Sequence, residues 1–462
     1  MTDLLIAGGT VVTPSGTRVA DVLVSGERIQ TVDPDLAGLV EGAPIVDARG
    51  LLVLPGVIDA HTHTRLPSEA QPDRFSLDSI AAAFGGTTTF LAFDNPGTGG
   101  SDADRPLVDS VADWRARTEA ESAVDFGLSL VLTADRAARV KELAAVVAAG
   151  VPTVKAFMVY DFGIDEGTLA TALETMSRAG GLLEVHCEDR AMLDTLVSAL
   201  LSKGKREPRH HAESRPPIVE ATGTATAVDL ARDAAAPMYA VHLSCRDALD
   251  VVRRAKAQGL PVFAETCPHF LTLDESRYDL PPEQAVRYVI APPLRAPADR
   301  EALWEGLADG SLDLIATDHV PDRVAVEKAN WREPFDRISN GAPGIETLLS
   351  LVYSEGVARG RIGLERMVEL LSSTPARLFG LGQKGSIEPG KDADLVLFDP
   401  SAQRTLRQAD LHHTADYTPY EGIELTGAVR SVIVRGRLVI DEGGFVGERG
   451  WGRFVERRLD WR

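Results

Sequence analysis

The sequence is poor in cysteine and has no long apolar run, and both absences narrow the class of protein. Its 462 residues include three cysteines, Cys187, Cys245 and Cys267, an odd number without a C-x-x-C pair. This pattern argues against a disulfide framework. No apolar stretch approaches the roughly 20 residues of a membrane-spanning helix, and the first residues lack the basic segment of a signal peptide. We therefore expect a cytoplasmic protein with no membrane partner.

Positive charge is also scarce along the chain. The 48 lysines and arginines face 68 aspartates and glutamates, which gives a formal net charge of −20. Such a protein repels polyphosphates at long range, so we expect no nucleic-acid partner. The stretch 453–462 is locally basic and has Trp451, Phe454 and Trp461 in or beside it. We interpret it as an arm that packs on the body of the protein or on a neighbouring subunit.

Short apolar runs alternate with amphipathic segments between about residues 55 and 320. The runs are 57–63, 87–93, 126–133, 153–160, 182–187, 238–245, 262–267 and 312–318. Strands that alternate with helices indicate right-handed parallel crossovers. Eight of them predict an α/β protein with a closed (β/α)8 barrel, whose chemistry lies at the carboxyl ends of the strands. An open doubly wound sheet is the main alternative, but no G-x-G-x-x-G follows the first strand.

Both ends of the chain read as short β segments separated by turns. Examples are 10–12 and 22–24 near the start, and 393–398 and 429–434 near the end. Neither end alone is long enough for a stable β core. We therefore predict one small β-sandwich domain built from 1–54 and 380–462, beside a barrel domain of 55–379.

The most informative motif ends the apolar run that begins at residue 51. That run closes with Asp59-Ala60-His61-Thr62-His63. Side chains alternate along a strand, so His61 and His63 point the same way. Two neutral imidazoles that converge at a strand end suit a divalent metal such as Zn²⁺. The alternative for this pair alone is two ordinary hydrogen-bonded residues at a strand terminus.

Other predicted strands carry polar residues that would reach the same barrel mouth. They are Lys155 in the fourth, His186 in the fifth, His242 in the sixth and Asp318 in the eighth. The joint pattern predicts a metal centre. An ammonium has no lone pair, but a buried lysine held neutral can add CO₂ to form a carbamate, whose two oxygens could bridge two metals. A lysine in a salt bridge with a barrel carboxylate remains the alternative.

With these residues in place, the chain resembles the amidohydrolase superfamily, and within it the cyclic amidases that include hydantoinase (dihydropyrimidinase), dihydroorotase and allantoinase. The resemblance runs nearly end to end. Its motifs are the P-G-x-I-D-x-H-x-H opening and the segments 85–88, 265–271, 291–295, 343–347 and 390–397.

The resemblance implies two divalent metals, usually zinc, that share a carboxylated Lys155. One ion would be held by His61, His63, Asp318 and the carbamate. The other would be held by His186, His242 and the same carbamate. Two metals that share a water lower its pKa and make a bridging hydroxide available.

The expected reaction opens a cyclic amide. Hydroxide attacks a ring carbonyl, and Asp318 takes the proton and delivers it to the leaving nitrogen. Tyr160 is the candidate donor to the tetrahedral oxyanion. The alternative for Tyr160 is an aromatic side chain that caps the barrel rim.

Two sets of residues favour different cyclic substrates. The sequence after Lys155 and the loop at Asn340 resemble hydantoinases, in which backbone groups at the positions of Ala291 and Asn340 hold the amide edge of the ring. Arg65 and Asn95 instead resemble the arginine and asparagine with which dihydroorotases bind the substrate carboxylate. However, the run Asp94-Asn95-Pro96 departs from the dihydroorotase pattern.

We interpret the protein as a hydantoinase-like enzyme that opens a hydantoin or dihydropyrimidine to the N-carbamoyl amino acid. Dihydroorotase or allantoinase activity is the alternative. A scaffold protein without catalysis is a remote alternative, because all the ligand positions are filled. By resemblance we also expect a homotetramer or homodimer that acts on a small cyclic amide or imide.

Overall fold

Two β-sheets organise the chain in a computed structural model, which describes residues 3–36, 38, 42–94 and 105–460. The amino-terminal strands are β1 (Leu4–Thr13), β2 (Gly16–Ser25), β3 (Arg28–Asp33), β4 (Ile45–Asp47) and β5 (Leu52–Pro55). The barrel strands are β6 (Val57–Thr62), β7 (Thr87–Phe93), β8 (Asp125–Leu132), β9 (Thr153–Phe157), β10 (Leu182–His186), β11 (Met238–Ala240), β12 (Val262–Thr266) and β13 (Leu314–Ile315). The last strands are β14 (Leu395–Thr405), β15 (Glu424–Val434), β16 (Arg437–Asp441) and β17 (Gly444–Phe445).

Helices separate the barrel strands and cover them from outside. They are α1 (Arg74–Phe84), α2 (Leu107–Thr118), α3 (Leu143–Ala148), α4 (Glu166–Ala179), α5 (Arg190–Ser202), α6 (His210–Ser214), α7 (Pro217–Asp233), α8 (Arg246–Ala257), α9 (Pro268–Thr272), α10 (Pro282–Ala285), α11 (Pro297–Asp309), α12 (Leu348–Val352), α13 (Leu364–Val368) and α14 (Thr374–Leu378). Among the residues described, the helices are all too short or too polar to cross a membrane.

Strands β6 to β13 pair in chain order and in parallel, as the alternating pattern predicts. The barrel closes where the end of β6 meets the residues after β13. There the His63 amide donates to the carbonyl of His319 at 2.7 Å, and the Thr317 amide donates to buried Asp59 at 3.0 Å. The expected α/β barrel is therefore confirmed, and the open sheet is excluded.

The second sheet joins the two ends of the chain. Its order is β17-β16-β15-β14-β5-β1-β2-β3, with β4 beside β1. Strand β14 runs antiparallel to β5, with Leu395 opposite Pro55 and Phe398 opposite Leu52. This arrangement confirms that residues from both ends build one β unit beside the barrel. The domain limits given above stay a prediction.

Two barrel strands are shorter than the apolar runs suggest. The run 238–245 forms a strand only over Met238–Ala240, and the run 312–318 only over Leu314–Ile315. The backbone turns into the left-handed region soon after each strand, with φ of 41° at His242 and 50° at Asp318. Non-glycine residues rarely adopt such angles, so periodicity alone could not locate these strand ends.

The carboxyl-terminal arm packs on the body of the same chain, one of the two outcomes expected for it. Phe454 forms a parallel bridge with Phe126 of β8. Arg457 is fully buried beneath the barrel, where it donates to Thr153 Oγ1 at 2.8 Å and to the carbonyl of Phe379 at 3.2 Å. The arm therefore covers the end of the barrel opposite the strand carboxyl ends.

A buried ion network fastens the β unit to the barrel. Lys384 Nζ lies 2.7 Å from Asp125 of β8, 2.6 Å from Asp394 and 3.2 Å from Asp392. Arg435 of the β unit adds a contact of 3.0 Å to Asp125. Burial would lower the pKa of Lys384, but the surrounding carboxylates outweigh burial and raise it.

We predict that Lys384→Met destabilises the protein by about 3–5 kcal/mol, because three buried carboxylates then lose their central cation. The measurement is the free energy of unfolding in urea at neutral pH. Arg430→Met, which removes the exposed pair with Glu442, is the matched control and should cost about 1 kcal/mol or less. Equal effects of the two substitutions would contradict a stabilising role of the buried network.

Candidate metal centre and active site

The side chains predicted to bind metal meet at the carboxyl-end mouth of the barrel. They are His61 in β6, Lys155 in β9, His186 at the end of β10, and His63, His242 and Asp318 just after β6, β11 and β13. A cavity of about 380 Å³ opens beside them, and four of these residues contribute to its wall.

The first group consists of two imidazoles and a carboxylate. Asp318 Oδ1 lies 2.9 Å from His61 Nε2 and 3.2 Å from His63 Nε2. One ligand atom from each residue falls within 4.8 Å of the others. Two ring nitrogens and a carboxylate oxygen at this separation fit the donor set of a Zn²⁺ site.

The second group is a pair of buried histidines. The rings of His186 and His242 have their centroids 4.6 Å apart, and the His61 ring lies 5.5 Å from that of His242. Burial lowers the pKa of both His186 and His242. The neutral imidazole is the form that binds a metal. The two groups are thus adjacent, as a binuclear centre requires.

Lys155 lies fully buried between these groups. Its Nζ has no hydrogen-bond partner among the residues that the structure describes. The rings of Phe93 and Phe157 have their centroids 5.0 and 5.1 Å from Nζ. Burial lowers the pKa of Lys155, which favours the neutral amine. No described carboxylate forms the salt bridge considered as the alternative, and a buried amine without such a partner fits the chemistry of a carbamate.

Buried carboxylates orient the histidines. Glu265 of β12 contacts His61 Nδ1 and accepts hydrogen bonds from the Tyr239 hydroxyl at 2.8 Å and the His242 amide at 3.1 Å. Burial lowers the pKa of His61, but Glu265 and Asp318 outweigh it and raise the value to about 9. A metal at Nε2 would displace this proton. Contacts of this kind fix which ring nitrogen faces the metal.

Glu188 has the same relation to the second group. Its Oε2 lies 2.7 Å from His186 Nε2 and also contacts Arg215. This pairing leaves His186 Nδ1 as the ring nitrogen available to a metal. Sequence reasoning gave no role to Glu188 or Glu265. The available signal was an ionisable residue inside or just after an apolar run, as at Glu265 within β12.

Three of the predicted site residues have left-handed backbone. The φ angles are 72° at Tyr160, 41° at His242 and 50° at Asp318. Such conformations cost of order 1–3 kcal/mol each and persist where the surrounding structure imposes them. All three side chains line the cavity. Three of the seven non-glycine residues with positive φ in the described part of the chain therefore lie at the mouth of the barrel.

The residues predicted to contact substrate mostly share this cavity. Tyr160, Ala291, Asn340 and Arg65 line it, whereas Asn95 lies outside the described residues. Tyr160 interacts with the Asn340 side chain, and burial raises the pKa of its hydroxyl. The hydroxyl thus stays protonated and can donate a hydrogen bond.

Arg65 faces two carboxylates of its own chain. Its Nη2 contacts buried Asp322, and its Nη1 lies 3.4 Å from Glu327. An arginine held in this way has its charge compensated before any substrate arrives. Arg65 therefore lines the cavity, but its guanidinium group is already paired and does not offer a substrate carboxylate two free N–H donors.

Known proteins are similar to this chain in sequence and in structure over nearly its whole length. A D-hydantoinase from Ralstonia pickettii is 38% identical over 99% of both chains, and one from Geobacillus stearothermophilus is 37% identical over 98% of this chain and 96% of that one. The crystal structure of dihydropyrimidinase from Brevibacillus agri superposes with a TM-score of 0.94 at 38% identity and covers 100% of both chains. A model of the amidohydrolase family matches residues 52–439. The protein is therefore a member of the amidohydrolase family, as its metal-binding motifs predict.

Proposed function

We propose that this protein hydrolyses the ring amide of hydantoins and dihydropyrimidines to N-carbamoyl amino acids. One observation carries the proposal: the ligand groups, Tyr160 and the backbone at Ala291 and Asn340 all face one cavity. Relatives at 36–38% identity are D-hydantoinases, which supports the same substrate class. Dihydroorotate is less well supported, because Arg65 is already paired with Asp322.

We further propose that the centre holds two zinc ions and a CO₂-derived carbamate on Lys155. His61, His63 and Asp318 would hold one ion, His186 and His242 the other, with the lysine shared. When bound, the ions supply the Lewis acidity that makes a hydroxide nucleophile available near neutral pH. The enzyme would act in the cytoplasm as a homotetramer or homodimer.

Groups of the chain itself transfer the proton, stabilise the developing charge and bind the ring. Asp318, which contacts both imidazoles of the first group, accepts the proton of the attacking water and passes it to the leaving ring nitrogen. Tyr160 donates a hydrogen bond to the oxygen on which negative charge develops. The backbone at Ala291 and Asn340 binds the amide edge of the ring, which leaves the exocyclic substituent free. Phe157, Phe162 and other apolar side chains line the cavity and give the ring an apolar surface to pack against.

The decisive test is a side-by-side rate assay of the zinc-loaded protein on dihydrouracil, a 5-aryl hydantoin, dihydroorotate and allantoin. We expect fast opening of the first two rings. Arg65→Ala should change kcat/KM for the hydantoin by about threefold or less, in the range of other contacts that are energetically near-neutral. A preference for dihydroorotate that Arg65→Ala abolishes would refute the proposal.

Removal of the Tyr160 hydroxyl should slow the chemical step. We expect Tyr160→Phe to lower kcat about 10²–10³-fold with a smaller change in KM, because an oxyanion donor acts mainly in the transition state. The measurement is steady-state kinetics on the preferred hydantoin. Tyr353→Phe, which loses a hydroxyl contact to the carbonyl of Pro400, is the control and should keep full activity. An unchanged kcat in Tyr160→Phe would instead make this residue a cap of the barrel rim.

Replacement of Lys155 should remove the metal ions from the centre. We expect the native enzyme, purified with zinc and bicarbonate, to hold about two ions per chain and to carry the added mass of one CO₂. Lys155→Met should lose that mass and most of the metal, as seen by native mass spectrometry and elemental analysis. Lys391→Met, which removes a lysine contact to the carbonyl of Gly382, should keep both. Equal metal content in the two variants would contradict a bridging role for Lys155.

A further inference from the structure

Lys328 is a buried lysine whose hydrogen bonds go to backbone carbonyls. Its Nζ donates to the carbonyl of Val289 at 3.0 Å and to that of Ser339 at 2.6 Å, and the residue is fully buried. Burial lowers its pKa to about 8, and the Asp322 carboxylate acts against that change. Burying an ammonium is costly unless it is well compensated. The presence of a lysine at this buried position therefore suggests a specific role for its two hydrogen bonds.

The two acceptors belong to the two backbone segments that form one wall of the cavity. Segment 289–291 ends in Ala291, and segment 339–341 contains Asn340, and both residues line the cavity. The Gly341 amide also donates to the carbonyl of Val289 at 3.0 Å. One ammonium and one amide thus join the segments across a large separation in sequence.

Two further hydrogen bonds each hold one of the segments. His211 Nε2 lies 2.7 Å from the carbonyl of Ile290, and the Tyr417 hydroxyl donates to the carbonyl of Gly341 at 3.3 Å. Gly341 has a φ of 130°, and a Cβ there would lie 2.4 Å from Val320. The second segment is therefore closely packed against the loop that follows Asp318.

The chain around Lys328 has little regular structure of its own. Residues 324–332 form turns, and the next regular element is a short helical turn, Phe335–Arg337. Beside this irregular segment, a buried apolar cluster includes the side chains of Val286, Val289, Phe335 and Ile338. A loop of this kind depends on a few contacts for its position, and the bonds of Lys328 reach from it to both cavity segments.

We propose that Lys328 is a positioning residue that ties segments 289–291 and 339–341 together and so sets the spacing of the backbone groups that bind the ring amide. The inference rests on the proposed function, because it assigns these segments to the ring edge. The backbone groups of these segments would bind the substrate and the transition state equally well. Lys328 should therefore affect substrate binding and not the chemical step.

The test compares Lys328→Met with the native enzyme on the preferred hydantoin. We expect KM to rise about tenfold while kcat stays within about threefold, the pattern of lost uniform binding. Lys328→Gln retains a side-chain N–H donor and should give an intermediate KM, and it decides the matter if the methionine variant fails to fold. Lys391→Met, which removes another lysine-to-carbonyl bond, should leave KM unchanged.

Hydrogen exchange supplies a readout that does not depend on turnover. Amides of 289–291 and 339–341, including that of Gly341, should exchange faster in Lys328→Met and not in Lys391→Met. A native-like KM in both Lys328 variants, a fall in kcat as large as the rise in KM, or unchanged exchange would overturn the proposal. If the native enzyme opens none of the rings, the proposed function fails, and exchange alone still decides whether Lys328 joins the segments.

Discussion

The burial of a lysine amine at the mouth of the barrel is the constraint on which the site depends. Lys155 has no hydrogen-bond partner in the described part of the chain, and burial disfavours its charged form. Glu265 and Glu188 each contact one ring nitrogen, of His61 and His186 respectively, and so orient the two imidazoles. The donor atoms that remain point to one place.

The barrel makes this concentration of polar groups possible. Parallel strands end at a common rim, and the backbone at Tyr160, His242 and Asp318 leaves that rim in a left-handed conformation. A strained backbone persists only where rigid neighbours hold it. The closed sheet provides rigid neighbours of this kind. So does the carboxyl-terminal arm at the opposite end, whose Arg457 is buried against the barrel.

Three buried lysines show three ways in which the fold treats the same side chain. Lys384 meets three carboxylates and fastens the β unit to the barrel. Lys328 meets two carbonyls and joins two segments of the cavity wall. Lys155 meets no hydrogen-bond acceptor among the described residues and is left available for chemistry. All three side chains are buried, so the groups that each amine contacts, and not burial, distinguish the three lysines.

The sequence by itself determined the barrel and the strand ends at which the candidate metal-binding side chains lie. Alternating apolar runs specify parallel strands, and residues at the carboxyl ends of such strands meet whatever their separation in the chain. Only the tertiary structure decided that β11 and β13 end before His242 and Asp318. It also decided the pairing of Arg65 with Asp322 and the hydrogen bonds of Lys328. These features depend on backbone angles and on contacts between loops without periodicity, and a local pattern of residues does not encode them.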